Sequence, residues 1–214
     1  TVISAFIKQN DEVIIFTPAY DCYKPSVELQ DGKVIPIQLN YPDYKVDWDL
    51  VKSKISINTK MIIINSPQNP SGTVFSKNDM LALERITNNT DIIVLSDEVY
   101  EHMVFDGLKH QSACLFTELK KRTFITASFG KTFHNTGWKM GYCCGPEELM
   151  IEFIKVHQFN VFAVNHPMQI ALAKYLEEPS HYNDLSSFYQ QKRDLFLESI
   201  SSSKFKFKPS QATY

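Results

Sequence analysis

Residues 61–98 have the sequence MIIINSPQNPSGTVFSKNDMLALERITNNTDIIVLSDE, and this stretch decides the fold class. It contains two apolar runs of strand length, Met61 to Asn65 and Ile92 to Ser96, and the helical repeat between them predicts a helix from Lys77 to about Asn88. Ser76, followed three residues later by Asp79, forms a capping box that marks the start of this helix. The order strand, helix, strand predicts a parallel strand pair joined by a covering helix.

Further runs of strand length occur on both sides of this stretch. They are Val13 to Phe16, Val34 to Gln38, Phe124 to Ser128 and Gly141 to Cys144, each flanked by Pro, Gly, Asn, Asp or Ser. Such runs alternate with longer amphipathic segments, as they do where helices cover both faces of a sheet. The sequence therefore predicts an α/β protein, a three-layer αβα sandwich with a mainly parallel sheet.

The pattern changes beyond Pro146, where helices are predicted over residues 147–158, 167–177 and 182–201. After them, only Phe205 and Phe207 alternate with lysines in the manner of a new strand. We place a domain boundary near Pro179. Residues 1–179 then form a large domain that is incomplete at its N-terminus, and residues 180–214 form a connecting helix and the start of a small α+β domain. The chain is expected to be a piece of a longer one.

Composition narrows the classes of partner. The 214 residues are 43% hydrophobic and carry a formal net charge of -2 without runs of like charge, which gives no electrostatic reason to expect nucleic acid or an anionic membrane. The apolar runs are too short to cross a bilayer. The four cysteines show no CxxC spacing, so no metal site is expected, and they favour a cytoplasmic protein with reduced thiols.

The residues that follow the predicted strands carry the chemistry. Ligands of open α/β sheets bind beyond the carboxyl ends of the strands, so a binding site is expected at these positions. They bring together aromatic, amide, carboxylate, phenol, hydroxyl and amine groups, on Tyr20, Asn69, Asp97, Tyr100, Ser128, Lys131 and Lys139. Singly, each of these residues is as well explained by a solvated surface, a helix cap or packing; together, at four strand ends, they indicate one site.

Pyridoxal 5'-phosphate (PLP) is a cofactor that requires such a set. Its aldehyde condenses with a lysine amine, and Lys131 is suited to that attachment. Its ring nitrogen must stay protonated to draw electrons from the substrate, and a buried carboxylate is the usual partner of that cation. Asp97 suits this role because it follows an apolar strand, where an unpaired carboxylate would be costly.

The other groups of PLP also find partners in the sequence. The phenolic oxygen needs hydrogen-bond donors, which Asn69 and Tyr100 can supply. The phosphate needs hydroxyl and amine contacts, which Ser128 and Lys139 can offer. An aromatic ring stacked on the cofactor would be that of Tyr20. The catalytic set expected from the sequence is Lys131, Asp97 and Tyr100.

Three segments resemble the class I/II, fold-type I aminotransferases: NPSG at 69–72, SDEVYEH at 96–102 and SFGKTFHNTGWKMGY at 128–142. The runs TPAYDCYKP at 17–25 and KVHQFNVFAVNHPMQIALA at 155–173 are similar to the methionine and kynurenine aminotransferases, which accept large neutral amino acids. The resemblance implies the same residue roles, with Lys131 also carrying the proton, an amino acid and a 2-oxo acid as substrates, and a homodimer with shared active sites. Many relatives have arginine where this chain has Lys139, which cannot make a bidentate contact.

The resemblance also implies segments that this sequence lacks. The family's glycine-containing phosphate turn would precede residue 1, and the arginine that binds the substrate carboxylate would follow residue 214. Two other functions stay open at this point. One is a PLP-dependent β-lyase acting on cysteine conjugates, and the other is a noncatalytic PLP-fold regulatory domain. A regulatory domain would be expected beside a basic helix-turn-helix module, and none is visible in this sequence. The presence of Lys131 and Asp97 also argues against a noncatalytic role.

Overall fold

The computed structural model describes residues 1–213 and contains a single six-stranded sheet with the strand order β2-β1-β3-β4-β5-β6. The strands β1 to β5 run parallel, and β6 pairs antiparallel with β5 at the edge. The strands are β1 Glu12–Thr17, β2 Lys33–Gln38, β3 Thr59–Asn65, β4 Ile93–Asp97, β5 Thr123–Ser128 and β6 Gly141–Cys144. The six strands predicted between residues 13 and 144 are therefore all present, and the prediction of a mainly parallel sheet is confirmed.

Nine α-helices lie within the described residues. They are α1 Val2–Phe6, α2 Tyr23–Glu28, α3 Trp48–Lys54, α4 Lys77–Thr87, α5 Phe129–Thr132, α6 Glu147–Asn160, α7 His166–Tyr175, α8 Ser180–Asn183 and α9 Leu185–Ser199. Short 3-10 helices occur at Ala113–Leu115, Leu119–Arg122 and Thr136–Trp138. The predicted capping box of α4 forms, because the Ser76 side chain accepts from the Asp79 amide and the Asp79 side chain accepts from the Ser76 amide.

The sheet separates two apolar cores, because successive side chains of a strand point to opposite faces. On one face, Ile62 and Ile64 of β3 belong to a buried cluster with Val51 of α3 and with α4. On the other face, Met61 and Ile63 of β3 belong to a cluster that includes α1, α2 and α6. Helices thus cover both faces, as the three-layer prediction requires.

The C-terminal part of the chain differs from the sequence prediction in two ways. The helix predicted over residues 182–201 is divided into α8 and α9 at Asp184. The strand predicted at Phe205 and Phe207 is wrong: both side chains are exposed, 79% and 40% respectively, and within residues 1–213 no strand pairs with this segment. Backbone pairing in this region is an isolated antiparallel bridge from Val104 to Ala212. Tyr214, the last residue of the segment 180–214 predicted to begin the small domain, lies outside the described residues.

Helix α9 is attached to the loop that follows β4. Leu185 is buried against Tyr100 and Met103, and the Ser186 hydroxyl donates to the Val104 carbonyl. Farther along the helix, Arg193 makes a bidentate ion pair with Asp106 through N–O distances of 2.6 and 2.7 Å. The chain leaving the sheet region is therefore held close to residues that follow the end of β4.

Candidate active site

The carboxyl ends of β3, β4 and β5 lie side by side, since Asn65 pairs with Asp97 and Asp97 pairs with Thr126 in the parallel register. A cleft of about 380 Å³ opens at this edge of the sheet. Its lining includes every residue predicted for the site, namely Tyr20, Asn69, Asp97, Tyr100, Ser128, Lys131 and Lys139. The lining also includes residues that sequence reasoning did not single out, namely Tyr23, Asn65, Val99, Thr126, Ala127 and Thr136.

Asp97 ends β4 and presents its carboxylate to the cleft. The Tyr23 hydroxyl donates to Oδ2 at 2.5 Å, and the Val99 amide donates to Oδ1 at 3.2 Å. Burial raises the pKa of Asp97 above its usual value, the two hydrogen bonds oppose that rise, and the neighbouring charge of Glu98 adds to it. A cationic partner inside the cleft would offset the cost of keeping this buried carboxylate ionised.

Asn65, the last residue of β3, connects two of the predicted site segments. Its side-chain amide donates to the Asp97 carbonyl at 2.9 Å, and its side-chain oxygen accepts from the Asn69 amide at 2.8 Å. Asn65 is buried, so both groups depend on these partners. Its one signal in the sequence is a polar residue at the end of an otherwise apolar strand. It fixes the segment that carries Asn69 against the end of β4.

The turn after β5 gathers the remaining predicted side chains. Ser128 caps α5 by accepting from the Gly130 amide at 3.1 Å, and Thr136 donates to the Gly130 carbonyl at 3.0 Å. A Cβ on Gly130 would lie 2.9 Å from the Thr136 backbone, so the turn closes tightly only with glycine there. Lys139 adopts the left-handed conformation at φ 56° and is exposed. Ser128, Lys131 and Lys139 thereby border one cleft.

The two predicted phenols differ in their surroundings. Tyr20 is 46% exposed, and its ring meets the ring of Tyr23 edge-on with centroids 5.8 Å apart. Its face is therefore available to a planar ligand. Tyr100 is only 2% exposed and packs with Met103 and Leu185 while lining the cleft. Packing on one side restricts where the Tyr100 hydroxyl can point.

Behind the cleft, the buried carboxylate of Glu98 forms an internal network. It accepts from the Ser96 hydroxyl at 2.8 Å and from the Ala113 amide at 3.0 Å, and His110 Nε2 lies 2.8 Å from its second oxygen. Burial acts to raise the pKa of Glu98, but the contacts to His110 and Ala113 outweigh it and hold that pKa below its usual value. This network fixes the backbone immediately after Asp97.

The chemistry of the cleft fits PLP. It offers an amine on Lys131 for the aldehyde, and a partly buried carboxylate on Asp97 for a cationic ring nitrogen. It also offers the hydroxyl of Ser128 and the amine of Lys139 for the phosphate, and the partly exposed ring of Tyr20 for a planar heterocycle. Among the described residues that line the cleft, Asp97 carries the only carboxylate, so no second one repels an anionic ligand.

The chain belongs to the class I and II aminotransferases, because the model of that family matches residues 1–214. Members of this family depend on PLP, and the chemistry of the cleft fits that cofactor. In sequence, the chain is 42% identical to the methionine aminotransferase of Escherichia coli over 213 residues, which cover 99% of this chain and 55% of the relative. It is 32% identical to kynurenine–oxoglutarate transaminase 1 of Mus musculus, over 94% of this chain and 52% of the relative.

The structural comparison agrees with the sequence comparison. The crystal structure of a methionine aminotransferase from Escherichia coli superposes with a TM-score of 0.97 at 42% identity, and the match covers 100% of this chain and 57% of the other. The predicted fold class, a fold-type I aminotransferase large domain, is confirmed. The chain spans about half the length of the curated relatives that it matches. Among residues 1–213, no helix is both long enough and apolar enough to cross a membrane.

Proposed function

We propose that this chain carries the PLP-binding part of an aminotransferase that moves the amino group of a large neutral amino acid to a 2-oxo acid. One observation carries the proposal: the Lys131 amine and the partly buried Asp97 carboxylate line the same cleft, at the ends of adjacent strands. The relatives named for methionine and kynurenine support the substrate class.

The proposed catalytic roles belong to three residues. When bound, PLP withdraws electrons from the substrate and makes the proton on its Cα acidic. Lys131 would hold the cofactor through its amine, and the same amine would serve as the general base that moves this proton. Asp97 holds the ring nitrogen in its protonated form, and Tyr100 donates to the phenolic oxygen.

The proposed binding roles belong to the remaining residues of the set. Asn69 donates to the phenolic oxygen together with Tyr100, and its segment is held in place by Asn65. Ser128 and Lys139 bind the phosphate from the turn around Gly130, whose tightness limits their movement. Tyr20 stacks on the ring, because its face is accessible from the cleft.

We further propose that the whole protein is a cytoplasmic homodimer with active sites shared between subunits, and that a domain boundary lies near Pro179. All four cysteines are free, which suits a reducing compartment. Large apolar side chains are exposed around the α6–α7 connection, including Phe159 and Phe162, which are each 85% exposed. Such a surface is typical of an interface. Light scattering should give twice the mass of one chain, and a monomer with full activity would contradict the dimer.

The cofactor roles are tested by adding PLP to the purified protein, recording the visible spectrum, reducing with borohydride and mapping the labelled peptide. Label on Lys131, lost in Lys131→Ala and kept in the control Lys120→Ala, supports the assignment. Lys120 is exposed, on a 3-10 helix outside the cleft, so its loss leaves the site unchanged. Label on another lysine, or none at all, contradicts it.

The reaction is tested by measuring 2-oxo acid formation from methionine, kynurenine and phenylalanine. Product that requires an added 2-oxo acid acceptor is expected, because the amino group must be passed on before the next cycle. Product formed from a cysteine conjugate without any acceptor would instead identify a β-lyase. Failure of every amino acid despite PLP bound to Lys131 would contradict the proposed activity while leaving the cofactor assignment intact.

A further inference from the structure

Tyr23 begins α2 and is 7% exposed, and its ring packs in the core on one face of the sheet. A phenylalanine would fill the same space, so packing accounts for the ring but not for its hydroxyl group. That hydroxyl donates to Oδ2 of Asp97 at 2.5 Å, a distance typical of a strong hydrogen bond to a carboxylate. The two residues lie 74 positions apart in the chain, so the contact is made by the fold and not by local sequence.

The direction of this hydrogen bond is fixed by chemistry. An ionised carboxylate can only accept, and burial together with the Asp97 charge raises the pKa of Tyr23 so far that its hydroxyl keeps its proton. The second oxygen of Asp97 takes the Val99 amide at 3.2 Å. Two donors on two oxygens restrict rotation of the carboxylate and leave lone pairs of both oxygens for a ligand in the cleft.

We infer that Tyr23 is a positioning residue, whose hydroxyl holds the Asp97 carboxylate oriented and ionised toward the ring nitrogen of PLP. This inference rests on the role proposed above for Asp97. Without the hydroxyl, Asp97 becomes a stronger base, and the proton shared with the ring nitrogen moves toward the carboxylate. The ring then loses part of the positive charge that makes it an electron acceptor.

The test compares Tyr23→Phe with Tyr142→Phe. The Tyr142 hydroxyl donates to Glu101 at 2.8 Å, so the control loses a tyrosine–carboxylate hydrogen bond of the same kind without contacting Asp97. PLP affinity is measured by absorbance titration, and the protonation of the ring by the 15N resonance of PLP labelled at its ring nitrogen. In Tyr23→Phe we expect about tenfold weaker binding, as for the loss of one charge-assisted hydrogen bond, and a resonance moved toward that of neutral pyridine. In the control, both readouts should match the unmodified protein.

Unchanged affinity and an unchanged 15N resonance in Tyr23→Phe would overturn the inference, as would equal changes in both variants. If Tyr23→Phe does not fold, 3,5-difluorotyrosine at position 23 gives the opposite perturbation: its more acidic hydroxyl donates more strongly and should tighten PLP binding. No tightening would count against the inference.

If the unmodified protein binds no PLP, the cofactor role proposed above is wrong, but the contact between Tyr23 and Asp97 can still be tested. The 13C carboxyl titration of Asp97 then decides the inference on the cofactor-free protein. An Asp97 pKa that rises in Tyr23→Phe supports the inferred contact, and an unchanged Asp97 pKa overturns it.

Discussion

Replacing Asp97 by asparagine should weaken PLP binding while making the cofactor-free protein more stable. Asparagine has nearly the same shape, and its one side-chain oxygen can still accept from the Tyr23 hydroxyl, although the longer 3.2 Å contact from the Val99 amide is lost. It has no negative charge, so it cannot pair with a protonated ring nitrogen. It also removes a carboxylate whose pKa is raised by burial, which means that the folded protein without cofactor disfavours its ionised form.

The magnitudes follow from these two changes. A hydrogen bond to a charged group contributes about 1.5–3 kcal/mol, so PLP affinity should fall about tenfold to hundredfold. Removing an unfavourable buried charge at a functional site should raise the free energy of unfolding of the cofactor-free protein by about 1 kcal/mol. Because burial raises the pKa of Asp97, ionisation of Asp97 lowers the stability of the folded protein as pH rises through that pKa. The extra stability of Asp97→Asn over the unmodified protein should therefore vanish below the ordinary aspartate pKa, at about 3.9.

The assays are absorbance titration with PLP and thermal denaturation of the cofactor-free protein at neutral and acidic pH. Asp91→Asn is the matched control, because Asp91 is exposed just before β4 and does not line the cleft. It should change neither quantity. If Asp97→Asn binds PLP as tightly as the unmodified protein, the pairing of Asp97 with a cationic ring is wrong. If stability is unchanged at neutral pH, burial of the charge is not costly here.

Three further changes test the fold around the cleft. Ser76→Ala removes the cap of α4 and should lower the free energy of unfolding by about 1 kcal/mol in urea, with the exposed Ser203→Ala as an unaffected control. Phe124→Ala should cost about 3–5 kcal/mol by thermal denaturation, because this side chain is fully buried, whereas Phe205→Ala, at a side chain 79% exposed, should stay within about 0.5 kcal/mol. Glu98→Gln should lower the free energy of unfolding at neutral pH. The lowered pKa of Glu98 means that its carboxylate stabilises the fold above pH 4.5 and loses that effect as pH falls. A difference in stability between the variant and the unmodified protein that persists in acid would refute the network.

The sheet could be predicted from sequence because its central strands are buried on both faces. Such strands appear as unbroken apolar runs, and the run at Met61 to Ile64 is buried along its whole length. The capping box at Ser76 located the start of α4 for a similar reason, since both of its hydrogen bonds are made within four residues. Where the physical cause is local or strictly periodic, the sequence is sufficient.

Other features depend on contacts between distant parts of the chain and could not be read from the sequence. Tyr23 fits the apolar face of a helix, and nothing near it indicates that its hydroxyl reaches Asp97. Asn65 gave only a weak signal at a strand end. Phe205 and Phe207 have the alternation of a strand, but a strand also needs a pairing partner, and none lies beside them in the described residues. The seven predicted residues were found because strand ends converge by topology, which the strand pattern already implies.

Asp97 and Glu98 are neighbours in the chain, but their carboxylates lie on opposite faces of the sheet and have different surroundings. Because side chains alternate across the sheet, Asp97 lies on the face of Tyr23, and Glu98 lies on the face of Ser96 and Ala113. Glu98 has three internal partners and a lowered pKa, so its carboxylate is stabilised by groups of the protein itself. Asp97 has two donors, a raised pKa and an open cleft in front of it, so its remaining acceptor capacity is directed to a cation from outside the chain. The opposite directions of the two pKa shifts are consistent with the role proposed for Asp97 and with a structural role for Glu98.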